Sequence, residues 1–108
     1  EALERWQEAR GRGERAATGW KQVLDAASDG RVDTLLLEGS SRTAWRCPRC
    51  GRASADGGKC PLDGARLEET PDGADLAIHR TLIQGGAVVS LGPGALGDGA
   101  GIAALLRF

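Results

Sequence analysis

The sequence of 108 residues has few of the side chains on which catalysis usually depends: one histidine, no tyrosine and three cysteines. A single histidine leaves no plausible Ser–His–Asp or Cys–His–Asn set, since the cysteines have the spacing of metal ligands. The motif G-x-x-x-x-G-K-[ST] is absent, which excludes a P-loop. No apolar run approaches the roughly 20 residues of a membrane span, and we expect no signal peptide. The sequence therefore predicts no catalytic residues and no membrane partner.

The composition is that of one globular domain. Hydrophobic residues make up 41% and the formal net charge is −1, so bulk electrostatics do not draw the chain to nucleic acid or acidic lipid. The chain has no methionine and begins in helix-forming sequence, from which we expect a piece of a longer protein. Three cysteines cannot all pair with one another, and this favours a reducing compartment, the cytoplasm, with the thiols bound to a metal.

Apolar residues alternate between helical and strand-like spacing along the chain. Helices are predicted over residues 2–11 and 14–28, and a third is predicted to start at Thr70 and Pro71 and to end before Gly85. Short apolar runs at residues 32–37, 87–91 and 102–106 predict strands buried on both faces. This order predicts a layered α/β domain.

The segment between the first strand and the third helix predicts a zinc site. It reads Cys47-Pro48-Arg49-Cys50-Gly51 and, nine residues later, Cys60-Pro61-Leu62-Asp63-Gly64, that is, C-P-x-C-G and C-P-x-D-G. In a zinc ribbon each such knuckle is a tight turn that supplies two ligands to one tetrahedral ion, and a carboxylate is an accepted ligand. The predicted ligands of a structural zinc are Cys47, Cys50, Cys60 and Asp63.

Three other readings of this segment stay open at the level of the sequence. The segment could be metal-free, with Cys47 and Cys50 reduced or joined to each other. The fourth ligand could be His79, the sole histidine. A water in the fourth position would make an open, catalytic zinc, although no conspicuous general base accompanies the knuckles.

The same segment carries a local excess of positive charge. From position 42 to position 66 there are six basic and two acidic residues. Part of this charge offsets the thiolates, and the rest suits RNA phosphates or an acidic partner. The predicted partner-binding residues are Arg42, Trp45, Arg46, Arg49 and Arg52, on a ribbon expected to project from the core. The glycine-rich loop over residues 92–101 is the second candidate surface.

The chain resembles the third, C-terminal domain of archaeo-eukaryotic class 1 peptide chain release factors. Residues 101–108, GIAALLRF, are similar to the family's G-G-I-A-A-I-L-R-Y ending, and residues 30–37, GRVDTLLL, to its G-x-V-x-x-L-L-L strand. The knuckles fall where archaeal members carry a zinc-binding minidomain. C-P-x-D-G and the lead-in E-x-R-G-R-G-x-R-A resemble the bacterial branch more closely. The chain departs from the pattern at Ala100, Phe108 and Asp63.

The resemblance implies a three-layer α/β/α sandwich like that of kink-turn-binding ribosomal proteins, with an inserted zinc-ribbon minidomain. It divides the chain into the end of a linker helix (residues 1–13), the α/β domain (residues 14–39 and 70–108) and the insert (residues 40–69). It implies a docking domain of a ribosome-associated protein that acts in termination, rescue or hibernation, with the ribosome, a translational GTPase, or ribosomal or transfer RNA as partners. The family's hydrolytic G-G-Q loop is absent here, so the domain is expected to be no enzyme. The alternative is a stand-alone kink-turn-type RNA-binding domain.

Overall fold

A computed structural model describes residues 2–13, 15–39, 42–92, 94–96 and 101–107. Its elements are α1 (Ala2–Arg12), β1 (Ala16–Thr18), α2 (Trp20–Ser28), β2 (Val32–Glu38), β3 (Ala44–Arg46), β4 (Ala53–Ser54), β5 (Glu68–Thr70), α3 (Gly73–Ile83), β6 (Ala87–Leu91) and β7 (Ile102–Leu106). They form a four-stranded sheet in the order β1-β7-β2-β6 and a three-stranded sheet in the order β4-β3-β5. Within these ranges no helix has the length and apolar character needed to cross a membrane.

The centre of the larger sheet is the pair of most apolar strands, β2 and β7. They run antiparallel, with Leu35 opposite Ala104 and Leu36 opposite Ala103, while β6 lies parallel to β2 on its other side. Because successive side chains of a strand point to opposite faces, Leu35 and Leu36 enter different clusters, and both are fully buried. The prediction of a strand buried on both faces is therefore confirmed for the leucine run of β2.

Helices cover both faces of this sheet. On one face α2 and α3 pack over the sheet in a cluster that includes Val23, Leu24, Leu35, Ala77, Ile102 and Ala104. On the other face α1 packs in a cluster that includes Trp6, Ala9, Leu36, Leu96, Ala103 and Leu105. The indole N–H of Trp6 also donates to the carbonyl of Ala17 at 3.2 Å, so this buried polar group has its partner. The predicted three-layer α/β/α architecture is confirmed.

The helix predicted over residues 14–28 is too long. Ala16, Ala17 and Thr18 form β1, which pairs antiparallel with β7, and α2 begins only at Trp20. Gly19 separates the two elements with φ of +86°, a conformation that glycine adopts without steric cost. Alanine favours helix locally, but pairing with β7 buries Ala17 and gives its backbone partners in the sheet, so tertiary contact overrides propensity.

The start predicted for the third helix is also wrong. Thr70 belongs to β5, and the helix begins at Gly73 with Asp72 as its N-cap. The carboxylate of Asp72 accepts a hydrogen bond from the N–H of Asp75 at 3.0 Å, which satisfies one of the free donors of the first turn. The predicted end is confirmed, because the helix stops at Ile83 and Gly85 has a φ of +83°.

The strand β6 was predicted to be buried on both faces, and this is wrong. It lies at the edge of the sheet, where Ala87 and Ser90 are exposed and Val88 and Val89 are only partly buried. An apolar run alone does not distinguish a central strand from an edge strand, since strand order is decided by contacts distant in sequence.

Arg107, the arginine of the C-terminal motif, links the end of β7 to β2 and to the end of α3. Arg107 donates from Nε and Nη2 to the carbonyl of Val32 at 3.2 and 3.1 Å, and from Nη2 to the carbonyl of Gln84 at 2.7 Å. Gln84 caps the end of α3, so one guanidinium satisfies carbonyl groups at the start of β2 and at the end of this helix.

Candidate metal centre and the surface around it

The small sheet and the two knuckles together lie within residues 42–70, the segment that we call the ribbon. In the first knuckle the N–H of Cys47 donates to the carbonyl of Arg52 at 2.9 Å, and the N–H of Gly51 to that of Cys47 at 3.0 Å. The second knuckle repeats this pattern: Cys60 donates to Ala65 at 2.7 Å and Gly64 to Cys60 at 2.9 Å.

Each knuckle ends on a glycine with positive φ, +79° at Gly51 and +74° at Gly64. The sequence repeat is thus a repeat of backbone geometry, and the glycines provide the left-handed residue that the turn requires.

The knuckles bring Cys47, Cys50, Cys60 and Asp63 together, with their donor atoms all within 4.8 Å of one another. The sulfurs of Cys50 and Cys60 are 3.7 Å apart, and Cys47 Sγ is 3.4 Å from Asp63 Oδ2. A tetrahedral zinc with Zn–S bonds of about 2.3 Å and a Zn–O bond of about 2.1 Å separates its ligand atoms by roughly 3.8 Å between sulfurs and roughly 3.6 Å between sulfur and oxygen. The donor set fits zinc.

Local hydrogen bonds favour the anionic forms of two of these groups. The N–H of Cys50 donates to Cys47 Sγ at 3.5 Å and is the main cause of a lowered pKa of Cys47. The pKa of Asp63 is also lowered, chiefly because the N–H of Ala65 donates to Oδ1 at 2.9 Å. The backbone N–H of Arg52 lowers the pKa of Cys50, but desolvation and the two neighbouring thiols outweigh it, and the pKa of Cys50 is raised.

The positions of the cysteines, His79 and Asp63 can be compared with the three alternative interpretations of the segment. None of the three cysteines forms a disulfide bond, so Cys47 and Cys50 are not joined to each other. His79 is exposed on α3 and is not among the four residues whose donor atoms converge. The carboxylate of Asp63 converges with the three thiols, so the protein offers four donor groups at this point.

The ribbon was expected to project from the core, but it packs against α2 and α3. Ala44, Ala53 and Ala55 are buried in the same cluster as the helix residues. At the end of α2, Ser28 Oγ accepts from the N–H of Ala53 at 2.9 Å and donates to its carbonyl at 3.0 Å. Alanine side chains let the small sheet approach the helices closely, and a search for large apolar residues misses such an interface.

Arg52 is part of this attachment. Its Nη1 donates to Asp29 Oδ1 at 2.8 Å, and its Nη2 lies 4.0 Å from Asp25 Oδ1. Its side chain is only 15% exposed, and the contact with Asp29 raises its pKa above the ordinary value. Arg52 therefore links the ribbon to α2, which leaves it little freedom to contact a partner.

The other predicted contact residues are more accessible. Arg42, Arg46 and Arg49 are exposed on or beside the ribbon, and Trp45 is half-buried. Trp45 packs on the small cluster of Cys47, Cys60 and Leu67. Sequence reasoning did not select Lys59 and Arg66, which pair in an isolated β-bridge around the second knuckle. The sequence offered one signal for these two residues: Lys59 lies directly before that knuckle and Arg66 two residues after it.

The contact between the ribbon and the start of α3 leaves no room for a side chain at Gly73. A Cβ there would lie 2.7 Å from the carbonyl oxygen of Arg42 and 2.9 Å from the Cβ of Ala44. We expect Gly73→Ala to lower the free energy of unfolding by about 1–3 kcal/mol, because the backbone of the ribbon must shift.

Urea denaturation measures this effect, and Gly11→Ala is the matched control. A Cβ at Gly11 meets no atom within 4 Å and lies in helix α1, so this variant should gain about 0.5–1 kcal/mol. Equal stability of the Gly73→Ala variant and the unsubstituted chain would contradict the close contact.

Comparison with known proteins supports the fold. No protein-family model matches the sequence, and no curated protein matches it. Among solved structures, the chain resembles the C-terminal domain of the peptide chain release factor from Methanosarcina mazei, with a TM-score of 0.67 and 24% identity over 98% of this chain and 79% of that one. It also resembles Pelota from Archaeoglobus fulgidus, with a TM-score of 0.59 and 24% identity over 98% of this chain and 28% of that one. The chain therefore has the fold of the C-terminal domain of an archaeal peptide chain release factor, as the resemblance in sequence implied.

Proposed function

We propose that this chain is a non-catalytic docking domain of a release-factor-like protein that acts on the ribosome, in termination, rescue or hibernation. The observation that carries the proposal is the shared fold over 98% of the chain with a domain named for a peptide chain release factor. The similar ending and the pair of knuckles add sequence detail to that likeness. The proposed cellular location is the cytoplasm.

We further propose a structural zinc held by Cys47, Cys50, Cys60 and Asp63. The support is a set of four donor atoms within 4.8 Å of one another, supplied by two knuckles of the same backbone geometry. Such an ion supplies cross-links between the knuckles, and the protein supplies all four ligands. Its expected contribution is the folding of the ribbon, with no step of chemistry.

The proposed docking surface is the exposed face with Arg42, Arg46 and Arg49. A ribbon fixed by a metal and by its attachment to α2 loses little conformational entropy on binding, and its cations suit RNA phosphates or acidic side chains. Arg52 is left out of this surface because it pairs with Asp29. The competing glycine-rich loop includes residues 97–100, which lie outside the described residues. The resemblance suggests a translational GTPase as a protein partner, and ribosomal or transfer RNA as a nucleic-acid partner.

Charge reversal on the proposed surface tests the docking role. We expect Arg42→Glu together with Arg49→Glu to lower the fraction of the chain that cosediments with ribosomes from the source organism by about tenfold, since the affinity of such contacts depends on phosphate neutralisation. Zinc content and the unfolding curve should not change, because both side chains are exposed.

Arg5→Glu with Arg15→Glu is the matched control, because these two arginines are exposed on the other side of the domain, beside α1. This control should bind ribosomes like the unsubstituted chain. Cosedimentation that survives the reversal of Arg42 and Arg49, or that falls equally in both variants, would contradict the assigned surface.

A further inference from the structure

We propose that a cleft on the ribbon binds an unpaired nucleotide of RNA, with the base against Trp45 and the flanking phosphates against Lys59 and Arg66. This proposal rests on the proposed ribosome-associated function and names the ligand of its ribbon. It concerns a different group of residues from the docking arginines, so the two can be tested separately.

The cleft has the size of a small-ligand site. It encloses about 300 Å³ and is lined by Trp45, Gly58, Lys59, Arg66 and Leu67. Small-ligand sites in proteins range from about 300 to 1,000 Å³, so this cleft suits one base rather than a helical segment of RNA. Leu67 is largely buried and Gly58 has no side chain, which leaves an apolar floor between two basic residues.

The indole of Trp45 is held in place in the cleft. Trp45 lies on the central strand of the small sheet, opposite Ser54 on one side and Glu69 on the other. The space beside Gly57 is filled by this ring, since a Cβ there would lie 3.0 Å from Nε1 of Trp45. A ring whose position is already fixed loses little entropy when a base stacks on it. Trp6 and Trp20 are buried, so Trp45 is the tryptophan that a ligand can reach.

Two cations flank the apolar floor. Lys59 and Arg66 lie across from each other in an isolated β-bridge, and the N–H of Leu67 donates to the carbonyl of Gly58 at 2.8 Å beside it. Both side chains are exposed, and neither forms an ion pair with another residue in the described ranges. Phosphates on either side of a bound base would supply the missing negative charge.

This combination favours single-stranded RNA over a peptide or a duplex. Proteins bind unpaired bases with an aromatic ring that is surrounded by basic residues, whereas an acidic peptide would contact the cations and not the ring. The exposed Glu69 opposite Trp45 and the net charge of −1 weaken any extended positive field, so a duplex backbone gains little here. Lys59 and Arg66 also flank the second knuckle, so a metal bound there would fix their positions relative to each other.

Titration of the zinc-loaded chain with a single-stranded cytidine hexamer tests the proposal. We expect quenching of tryptophan fluorescence and a shift of the Trp45 indole N–H resonance, with those of Trp6 and Trp20 unchanged. If two phosphates are neutralised, the logarithm of the affinity should fall with the logarithm of salt concentration with a slope of about −1.4. We expect Lys59→Gln with Arg66→Gln to weaken binding by about tenfold and to bring the slope close to zero.

The ring contribution is tested by two variants because Trp45 also packs on the cysteine cluster. Trp45→Phe keeps an aromatic platform and should bind within about threefold of the unsubstituted chain, whereas Trp45→Ala should lose about tenfold or more. Zinc content is measured in both, so an unfolded ribbon is recognised. If Trp45→Ala loses zinc, two other results test the proposal. Trp45→Phe should retain hexamer binding, and Lys59→Gln with Arg66→Gln should weaken it.

Several results would overturn the proposal: no resonance shift at Trp45, equal affinity for a duplex of the same sequence, or displacement of the hexamer by a glutamate hexapeptide at equal concentration. A loss of hexamer binding on Arg5→Glu with Arg15→Glu as large as that on the cleft variant would also overturn it. If the chain cosediments with ribosomes but does not bind the hexamer, this inference fails while the docking function stands. Binding of the hexamer without cosedimentation supports the cleft and contradicts the docking proposal.

Discussion

Replacement of Cys60 by alanine is expected to abolish zinc binding and to unfold the ribbon while the four-stranded sheet stays folded. Apart from the alanines that pack against the helices, the buried cluster of the ribbon consists of Cys47, Cys60 and Leu67, which is too small to fix the two knuckles without a metal. The binding energy of a structural zinc is folding energy for the segment that carries its ligands. The sheet has its own clusters on both faces and should persist.

Two measurements check this expectation. Elemental analysis should find one zinc per chain before the change and none after it, and amide hydrogen exchange should accelerate across residues 45–67 with little change in β2 and β7. Treatment of the unsubstituted chain with a strong chelator should reproduce the exchange pattern.

The chain offers a matched pair of control variants at the second knuckle. Asp63→Cys restores the C-P-x-C-G form of the first knuckle and should retain one zinc, because a thiolate is an equally accepted ligand. Leu62→Ala changes a side chain that is 72% exposed and should leave zinc content unaltered. Freshly purified chain without metal, or a ribbon that keeps slow exchange after Cys60→Ala, would contradict the proposed site.

Trp6→Ala should lower the free energy of unfolding of the whole domain more than Gly73→Ala does. Trp6 is fully buried between α1 and the sheet, and its N–H donates to the carbonyl of Ala17 at 3.2 Å. Loss of a buried tryptophan costs about 3–5 kcal/mol, which is a large part of the roughly 5–15 kcal/mol that stabilises a typical domain. Thermal or urea unfolding should show a correspondingly lower midpoint.

Gln7→Ala is the appropriate control, because Gln7 follows on the same helix and is exposed. It should change stability by less than about 0.5 kcal/mol. If Trp6→Ala has an equally small effect, α1 is not an integral layer of the domain and serves only as the end of a linker helix.

Local signals in the sequence were sufficient for several elements. The leucine run of β2, the ending of α3 at two glycines and the repeated C-P-x-x-G knuckles depend on residues close together in the chain. The convergence of Asp63 with the three cysteines follows from the second knuckle having the backbone of the first. In each case the physical cause is local, whether a turn that needs glycine or an apolar run bounded by polar residues.

Other features required contacts between residues far apart in sequence. The strand β1 exists because β7, nearly 90 residues later, provides its hydrogen-bonding partners. The attachment of the ribbon depends on Ser28 with Ala53 and on Asp29 with Arg52, pairs separated by 25 and 23 positions. None of these pairs has a periodicity or motif that local reasoning detects.

The sequence by itself therefore determined the class of fold, the convergence of Cys47, Cys50, Cys60 and Asp63, and the charge of the ribbon. Only the tertiary structure decided which of those charges face solvent. Arg52 is taken up by the carboxylate of Asp29 at 2.8 Å, whereas Lys59 and Arg66 remain exposed around an apolar cleft with Trp45. The reason is that a cation is neutralised by whichever carboxylate the packing of helices brings near, and packing depends on the whole chain rather than on the neighbouring residues.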